Sequence, residues 1–159
     1  SRFRATATTV RVFYRHENGN IYSQDVPVPG MGRAVVGAPS WVPPGGYGLQ
    51  MWSLDGQWYV AERMVYGGAN WAFGHASPGT IAPGTTWRFS EGTGAAGFET
   101  YFLVTNVAAT PATVTLTYRT AAGATIGTTQ LVVPAYQRGT VWANGATGNQ
   151  DFTTEVTST

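Results

Sequence analysis

The chain has 159 residues, 11% of them charged and 43% hydrophobic, with a formal net charge of +1. That length suits one ordinary domain or two small ones. The charged share is less than half of the roughly 25% usual in soluble proteins, and the apolar content supplies a core and excludes disorder. No apolar run exceeds four residues, so a membrane span is excluded. Near-neutrality leaves no electrostatic basis for binding nucleic acid or an anionic bilayer. The absence of cysteine excludes thiol catalysis, thiolate metal sites and disulfides. All nine basic residues are arginine, as expected of GC-rich coding. The chain starts without Met or an apolar signal segment and is expected to be a processed or excised part of something longer.

In chain order, period-two alternation dominates and helical periodicity is missing. Strands are expected within residues 5–66, punctuated by turns at Asn18-Gly19 and Asp55-Gly56 and ending in a strand over 57–66. A connecting segment, 67–85, follows. Further strands are predicted over 86–90, 99–107, 112–120, 125–133, 137–143 and 151–158, with turns at Ala122-Gly123 and Asn144-Gly145. In 113–119, Val114, Leu116 and Tyr118 share one face while Thr fills the other, the pattern of a half-buried strand. Thr is the commonest residue, and its β-branching suits a pleated sheet.

The chain also repeats itself. Ala5-Thr6, Thr9-Val10, Tyr14-Arg15 and Gly19 recur 104 residues later as Ala109-Thr110, Thr113-Val114, Tyr118-Arg119 and Gly123. After a one-residue slip, Val28-Pro29, Arg33, Val36 and Ser53 recur as Val133-Pro134, Arg138, Val141 and Ser158. A period near 100 residues with short strands matches a sandwich of about seven strands. On this reading residues 1–66 form a first module lacking its N-terminal strands, 67–85 an inter-module segment, and 86–159 a second module lacking its last strand. A sandwich cut after its sixth strand leaves an open sheet edge, which strands of neighbouring copies, or of a longer chain, are expected to cover.

Five stretches carry a resemblance: Trp87-Arg88-Phe89-Ser90-Glu91-Gly92-Thr93, Phe98 through Asn106, Ala112 through Tyr118, Val133-Pro134-Ala135-Tyr136-Gln137-Arg138, and Ala61-Glu62-Arg63-Met64-Val65-Tyr66. Together with Gly74-His75 they resemble the tandem immunoglobulin-like repeats of exported proteins of GC-rich Gram-positive and related bacteria. The resemblance implies tandem immunoglobulin/fibronectin-like antiparallel β-sandwiches with essentially no helix. It also implies an extracellular, cell-surface location without an established activity. Residues 34–47, with Trp41 and Pro43-Pro44, depart most from the second copy.

Motifs for chemistry are weak. Gly92-Thr93-Gly94-Ala95-Ala96-Gly97 has dinucleotide-loop spacing, but an alternating strand follows it where a helix would be required, so it reads as an inter-strand connection and no cofactor is expected. His16 and His75 stand 59 residues apart, neither with a carboxylate at ligand spacing, so no metal site is expected. Glu62, Glu91 and Glu99 are the carboxylates that could serve hydrolysis, yet Glu62 adjoins Arg63 and Glu91 opens a glycine loop. These read as structural, and no enzyme activity is expected. Arg33 and Arg138, each following a Val-Pro corner, are predicted to bond carbonyls or a carboxylate at a sandwich edge.

Aromatic residues carry the remaining signal. Trp71, Phe73 and His75 share one side of an extended segment, and Trp52 and Trp58 flank the Asp55-Gly56 turn. With Trp41 these six residues form the candidate interface or ligand platform, a seam between modules being favoured over a sugar platform. The expected partners are neighbouring modules or copies of the same protein, with a surface glycan as the alternative. The function expected is that of a structural module assembling head-to-tail. The alternatives are a carbohydrate- or protein-binding adhesin module and an accessory domain of a secreted enzyme.

Overall fold

The computed structural model describes residues 6–67, 69–71 and 73–159, with the backbone alone for Trp71 and Phe73. It is all-β and antiparallel, as the alternation requires. In chain order the strands are β1 (Thr8–His16), β2 (Ile21–Val28), β3 (Tyr47–Ser53), β4 (Glu62–Gly67), β5 (Phe73–Pro78), β6 (Thr86–Thr93), β7 (Tyr101–Thr105), β8 (Ala112–Arg119), β9 (Thr125–Val133), β10 (Arg138–Trp142) and β11 (Asp151–Ser158). A single helical turn, α1 (Asn144–Thr147), joins β10 to β11.

The C-terminal strands build a sandwich-like unit. One sheet has the order β6-β11-β8-β9 and the other is the pair β10-β7. Alternation along β8 points Val114, Leu116 and Tyr118 inward, where they meet Phe102 of β7, Val141 of β10, Val133 of β9 and Phe152 and Val156 of β11. Rings interlock across the two sheets: Phe89 lies 5.2 Å from Phe102, Phe102 6.2 Å from Tyr118, and Tyr118 5.4 Å from Phe152. Asn106 closes one end. Its buried amide donates to the carbonyls of Thr110, Val133 and Pro134 and accepts from the Ala108 N–H. Thr115, Thr117 and Thr157 take the opposite face of the sheet, as the 113–119 pattern predicts.

β11 is paired on both sides. β6 pairs with β11 antiparallel, Val156 opposite Trp87 and Thr154 opposite Phe89, while β8 takes the other side. The reason lies in β6 itself. Trp87 and Phe89 alternate with Arg88, so the strand has an apolar side, on which Phe89 reaches Phe102 at the core's margin while the Trp87 and Phe89 rings stay exposed, and a charged one, where Arg88 pairs with Glu155 at 2.8 Å.

The N-terminal sheet has the order β2-β1-β3, and its pairings parallel those of β9-β8-β11. Val10 faces Ser53 as Val114 faces Ser158, and Tyr14 faces Tyr22 as Tyr118 faces Gly127. Its apolar face carries Val10, Val12 and Tyr14 against Val42, with Tyr22, Val26, Tyr47, Met51 and Tyr59 around them. Here the cover is an irregular segment, 29–46, in place of a second sheet. Tyr14 anchors it by donating to the Gly37 carbonyl at 3.2 Å, and Gln24 donates to the Tyr14 hydroxyl. The strand expected over 57–66 shortens to β4, which pairs with β5 in an exposed hairpin, Glu62 opposite Pro78 and Gly67 opposite Phe73.

Candidate functional site

The most elaborated polar site in the chain lies where the two sheet systems meet. Pro134 turns the chain out of β9, and Tyr136 adopts a left-handed backbone conformation (φ 59°) that reverses it before β10. The corner is tied by the Gln137 N–H donating to the Pro134 carbonyl, 3.3 Å. It presents Tyr136, Gln137 and Arg138 to the far end of β1 and the start of β3. The Arg15 guanidinium stacks over the Tyr136 ring, 4.8 Å from its centroid. Arg15, 6% exposed, also donates from Nε and Nη2 to Oε1 of Gln50. Burial lowers the Arg15 guanidinium pKa from its usual value, and the Tyr136 phenol opposes that shift.

Arg138 enters the same seam, its side chain 10% exposed, with Nη1 3.7 Å from Oε2 of Glu17. Burial pushes its pKa down. Glu17 counters this, and the like charge of Arg63 adds to it. Nε of Arg138 and Nη1 of Arg15 are buried without a hydrogen-bond partner among the described residues. Two glycines make this proximity possible. A Cβ at Gly46 would overlap Nη1 of Arg138 and lie 2.7 Å from its Cζ. A Cβ at Gly48 would overlap the Thr105 hydroxyl and stand 2.5 Å from its methyl carbon and 2.8 Å from its Cβ. His16 braces the wall behind them. Its Nδ1 accepts from the Asn18 N–H at 3.1 Å, which leaves Nε2–H to donate to the Pro43 carbonyl at 3.2 Å.

The residues singled out from the sequence divide into groups. Arg138 occupies the seam, with Nη1 3.7 Å from Oε2 of Glu17. Arg33, its counterpart, is exposed and makes no hydrogen bond or ion pair among the described residues. Among the described residues the two therefore share a corner conformation but not an environment. Trp41 lies 6.3 Å from Tyr22 and Trp52 4.5 Å from Phe13, both tilted and about half exposed. Trp58 stands 92% exposed. The side chains of Trp71 and Phe73, the expected seam, lie outside the described residues. His75 is exposed beside Met64, Tyr66, Gly74 and Ala76, which line a shallow depression of about 310 Å³. Glu62 and Arg63 are exposed on β4, opposite Pro78 and Ser77. Glu91, on β6, lines a second depression of about 270 Å³ with Gly92, Ala121, Asp151 and Thr153.

Sequence reasoning missed Arg15, Glu17, Gly46, Gly48 and Tyr136 as one constellation. Gly48, inside an alternating strand, was a usable signal, since a strand glycine often marks close backbone approach. The loop 92–97 links β6 to β7 through one tight turn over Ala95–Gly97 and opens no α-helix. Among the described residues no three His, Asp or Glu side chains gather where they could hold a metal ion, and no helix is long and apolar enough to cross a membrane. The chain matches no protein-family model, no curated protein and no solved structure.

Proposed function

We propose that this chain is a non-catalytic structural module of an extracellular bacterial surface protein or appendage. It is a tandem of immunoglobulin/fibronectin-like units, over 1–66 and 86–159, that holds neighbouring units at a fixed angle and assembles head-to-tail. The observation that carries the reading is the seam. A buried arginine and a mostly covered one, a cation–π contact and two glycine-enabled approaches join the sheet systems. Such contacts fix an angle in a way that a flexible linker does not. The shared registers of β2-β1-β3 and β9-β8-β11 support the tandem reading, and the threonine-coated outer face of β8 and β11 suits a crowded exterior. The extracellular placement rests on the sequence resemblance.

The test is a distance distribution within one chain. Ser23→Cys and Thr128→Cys occupy equivalent exposed places in the two sheets of a cysteine-free protein, so spin labels go there alone. A single narrow distance is expected for a stiff spacer; a broad distribution would overturn the reading. An adhesin function is favoured by one feature, the free face of Trp58, onto which a sugar ring could stack. A glycan array with the protein and its Trp58→Ala variant decides that alternative.

A further inference from the structure

Behind the seam stands a buried imidazole whose hydrogen bonds admit one protonation state. His16 ends β1 and is 3% exposed. Its Nδ1 accepts from the Asn18 N–H at 3.1 Å, and its Nε2–H donates to the Pro43 carbonyl at 3.2 Å. An acceptor at one ring nitrogen and a donor at the other define the neutral ring. Burial leaves the ring no room to seek other partners, and the turn around it is fixed by its own bonds. The His16 N–H donates to the Asn20 carbonyl at 3.0 Å, and the Gly19 N–H donates to the His16 carbonyl at 3.1 Å. The Asn18 side-chain oxygen already accepts from the Asn20 N–H at 2.9 Å. A proton added at Nδ1 would therefore point at the Asn18 N–H, donor against donor.

The consequence reaches the seam through Glu17. A Cβ at Gly45 would lie 2.8 Å from both Oε1 of Glu17 and Cε1 of His16, so carboxylate and ring flank the same glycine. The other oxygen of Glu17, Oε2, is the one 3.7 Å from Nη1 of Arg138. The Glu17 N–H donates to the Gly46 carbonyl at 2.8 Å, which ties the carboxylate to the glycine that Arg138 lies against. The other described groups around the ring are uncharged: Pro43 and Gly45 of the irregular cover, Tyr22 of β2 with its ring 6.1 Å away, and Tyr47 opposite in β3. A protonated His16 would thus meet one anion, Glu17, and one like charge beyond it, Arg138.

Resting on the spacer reading above, we propose that His16 is a proton-operated latch on the seam. Neutral, it holds the loop 43–46 against the turn 16–20 and leaves Glu17 to Arg138. On taking up a proton it gives up the Asn18 N–H, draws the Glu17 carboxylate to itself and repels Arg138, so the angle between the sheet systems comes free. The sign follows from the bonds. Only the neutral ring fits, so the latch is closed above the range in which imidazoles titrate and opens as pH falls through it. Ordinary carboxylates and guanidiniums keep their charge throughout that range. The response therefore belongs to an imidazole, and the chain has two, His16 and the exposed His75.

The spin-label pair at Ser23→Cys and Thr128→Cys reads the latch. The distance should be single and narrow at about pH 7.5, and that peak should be lost at about pH 5.5 and return when the pH is raised. His75→Gln should leave this response unchanged. It also leaves one imidazole in the chain, whose proton NMR titration should share its midpoint with the loss of the narrow distance. His16→Asn keeps an acceptor for the Asn18 N–H but takes up no proton, and should hold the narrow distance at both values. An unchanged distribution in the parent at the lower pH, separate midpoints in His75→Gln, or loss of the narrow distance on acidifying His16→Asn would each overturn the proposal while the spacer reading stands. A distance already broad at the higher pH in the parent would overturn the spacer reading and the latch with it, so the two failures are distinguishable.

Discussion

Gly48→Ala offers the most direct probe of the seam, because the sign of its effect depends on whether the seam exists. Gly48 lies inside β3. In an isolated strand, replacing glycine with alanine removes backbone entropy from the unfolded chain and stabilises by roughly 0.5–1 kcal/mol. In the intact structure the new methyl would overlap the Thr105 hydroxyl and meet two more Thr105 atoms at 2.5 and 2.8 Å. Those atoms belong to a short β-branched side chain on β7 and cannot swing away as the tip of an arginine can. Overpacking of this kind costs about 1–3 kcal/mol, so the net effect should be a loss on the order of 1–2 kcal/mol. For a chain of this size that corresponds to a fall in melting midpoint of about 2–8 °C. Calorimetry on Gly48→Ala, Thr105→Ala and the double variant gives the coupling. Thr105→Ala removes two of the three obstructing atoms, so the double variant should recover about 0.5 kcal/mol or more. Gly37→Ala, where a new Cβ meets nothing within 4 Å, is the control and should be neutral or slightly stabilising. If Gly48→Ala raises the midpoint as the control does, and shows no coupling to Thr105, then the two sheet systems do not meet here and the spacer argument falls.

Three further outcomes are expected. Leu116→Ala, at a site with 0% exposure in the centre of the larger core, should cost about 2–5 kcal/mol in urea unfolding, whereas Val35→Ala, 87% exposed, should stay within about 0.5 kcal/mol. Arg138→Lys keeps the charge but loses the planar fork and places an ammonium in a buried seam beside Arg63; a lower melting midpoint, on the order of 1 kcal/mol, is expected, and an unchanged one would mean that the aliphatic stem suffices. Two carboxyls are held below the ordinary aspartate value of 3.8, Asp55 by the hydroxyls of Ser53 and Thr8 and Asp25 by Arg11. The unfolded chain therefore binds more protons across that window, so their stabilisation is full above pH 3.8 and is lost as pH falls through the lower folded values. Urea unfolding of Asp25→Asn/Asp55→Asn over the same range should show a shallower acid slope than the parent, and an identical slope would remove these groups as its cause.

Local pattern was enough to place most strands. The bounds of β9 and β11 coincide with the alternation in 125–133 and 151–158, and the inward set of β8 is the Val114, Leu116, Tyr118 row visible in the sequence. Alternation is a property of neighbouring residues, and one buried face suffices to enforce it. The repeated corner was legible for a similar reason: Val-Pro followed four residues later by Arg recurs because the same turn is built twice. What the sequence could not show is who lies beside whom. The partner of β11 on its far side is β6, some sixty residues earlier in the chain. The cover over Tyr14 is an irregular segment, whereas the cover over Tyr118 is the paired strands β10 and β7. Above all, equal motifs acquired unequal surroundings. Arg33 and Arg138 read alike in sequence, but among the described residues one is exposed and the other is mostly covered, lying against an end of sheet that carries Gly46 and Gly48. Docking depends on shape across long chain separations, and the shape here is set by side chains that are missing. Strand order and seam contacts are thus tertiary decisions, made by which surfaces can approach closely enough to exclude water, whereas the strands that meet there were already written in the alternation of the sequence.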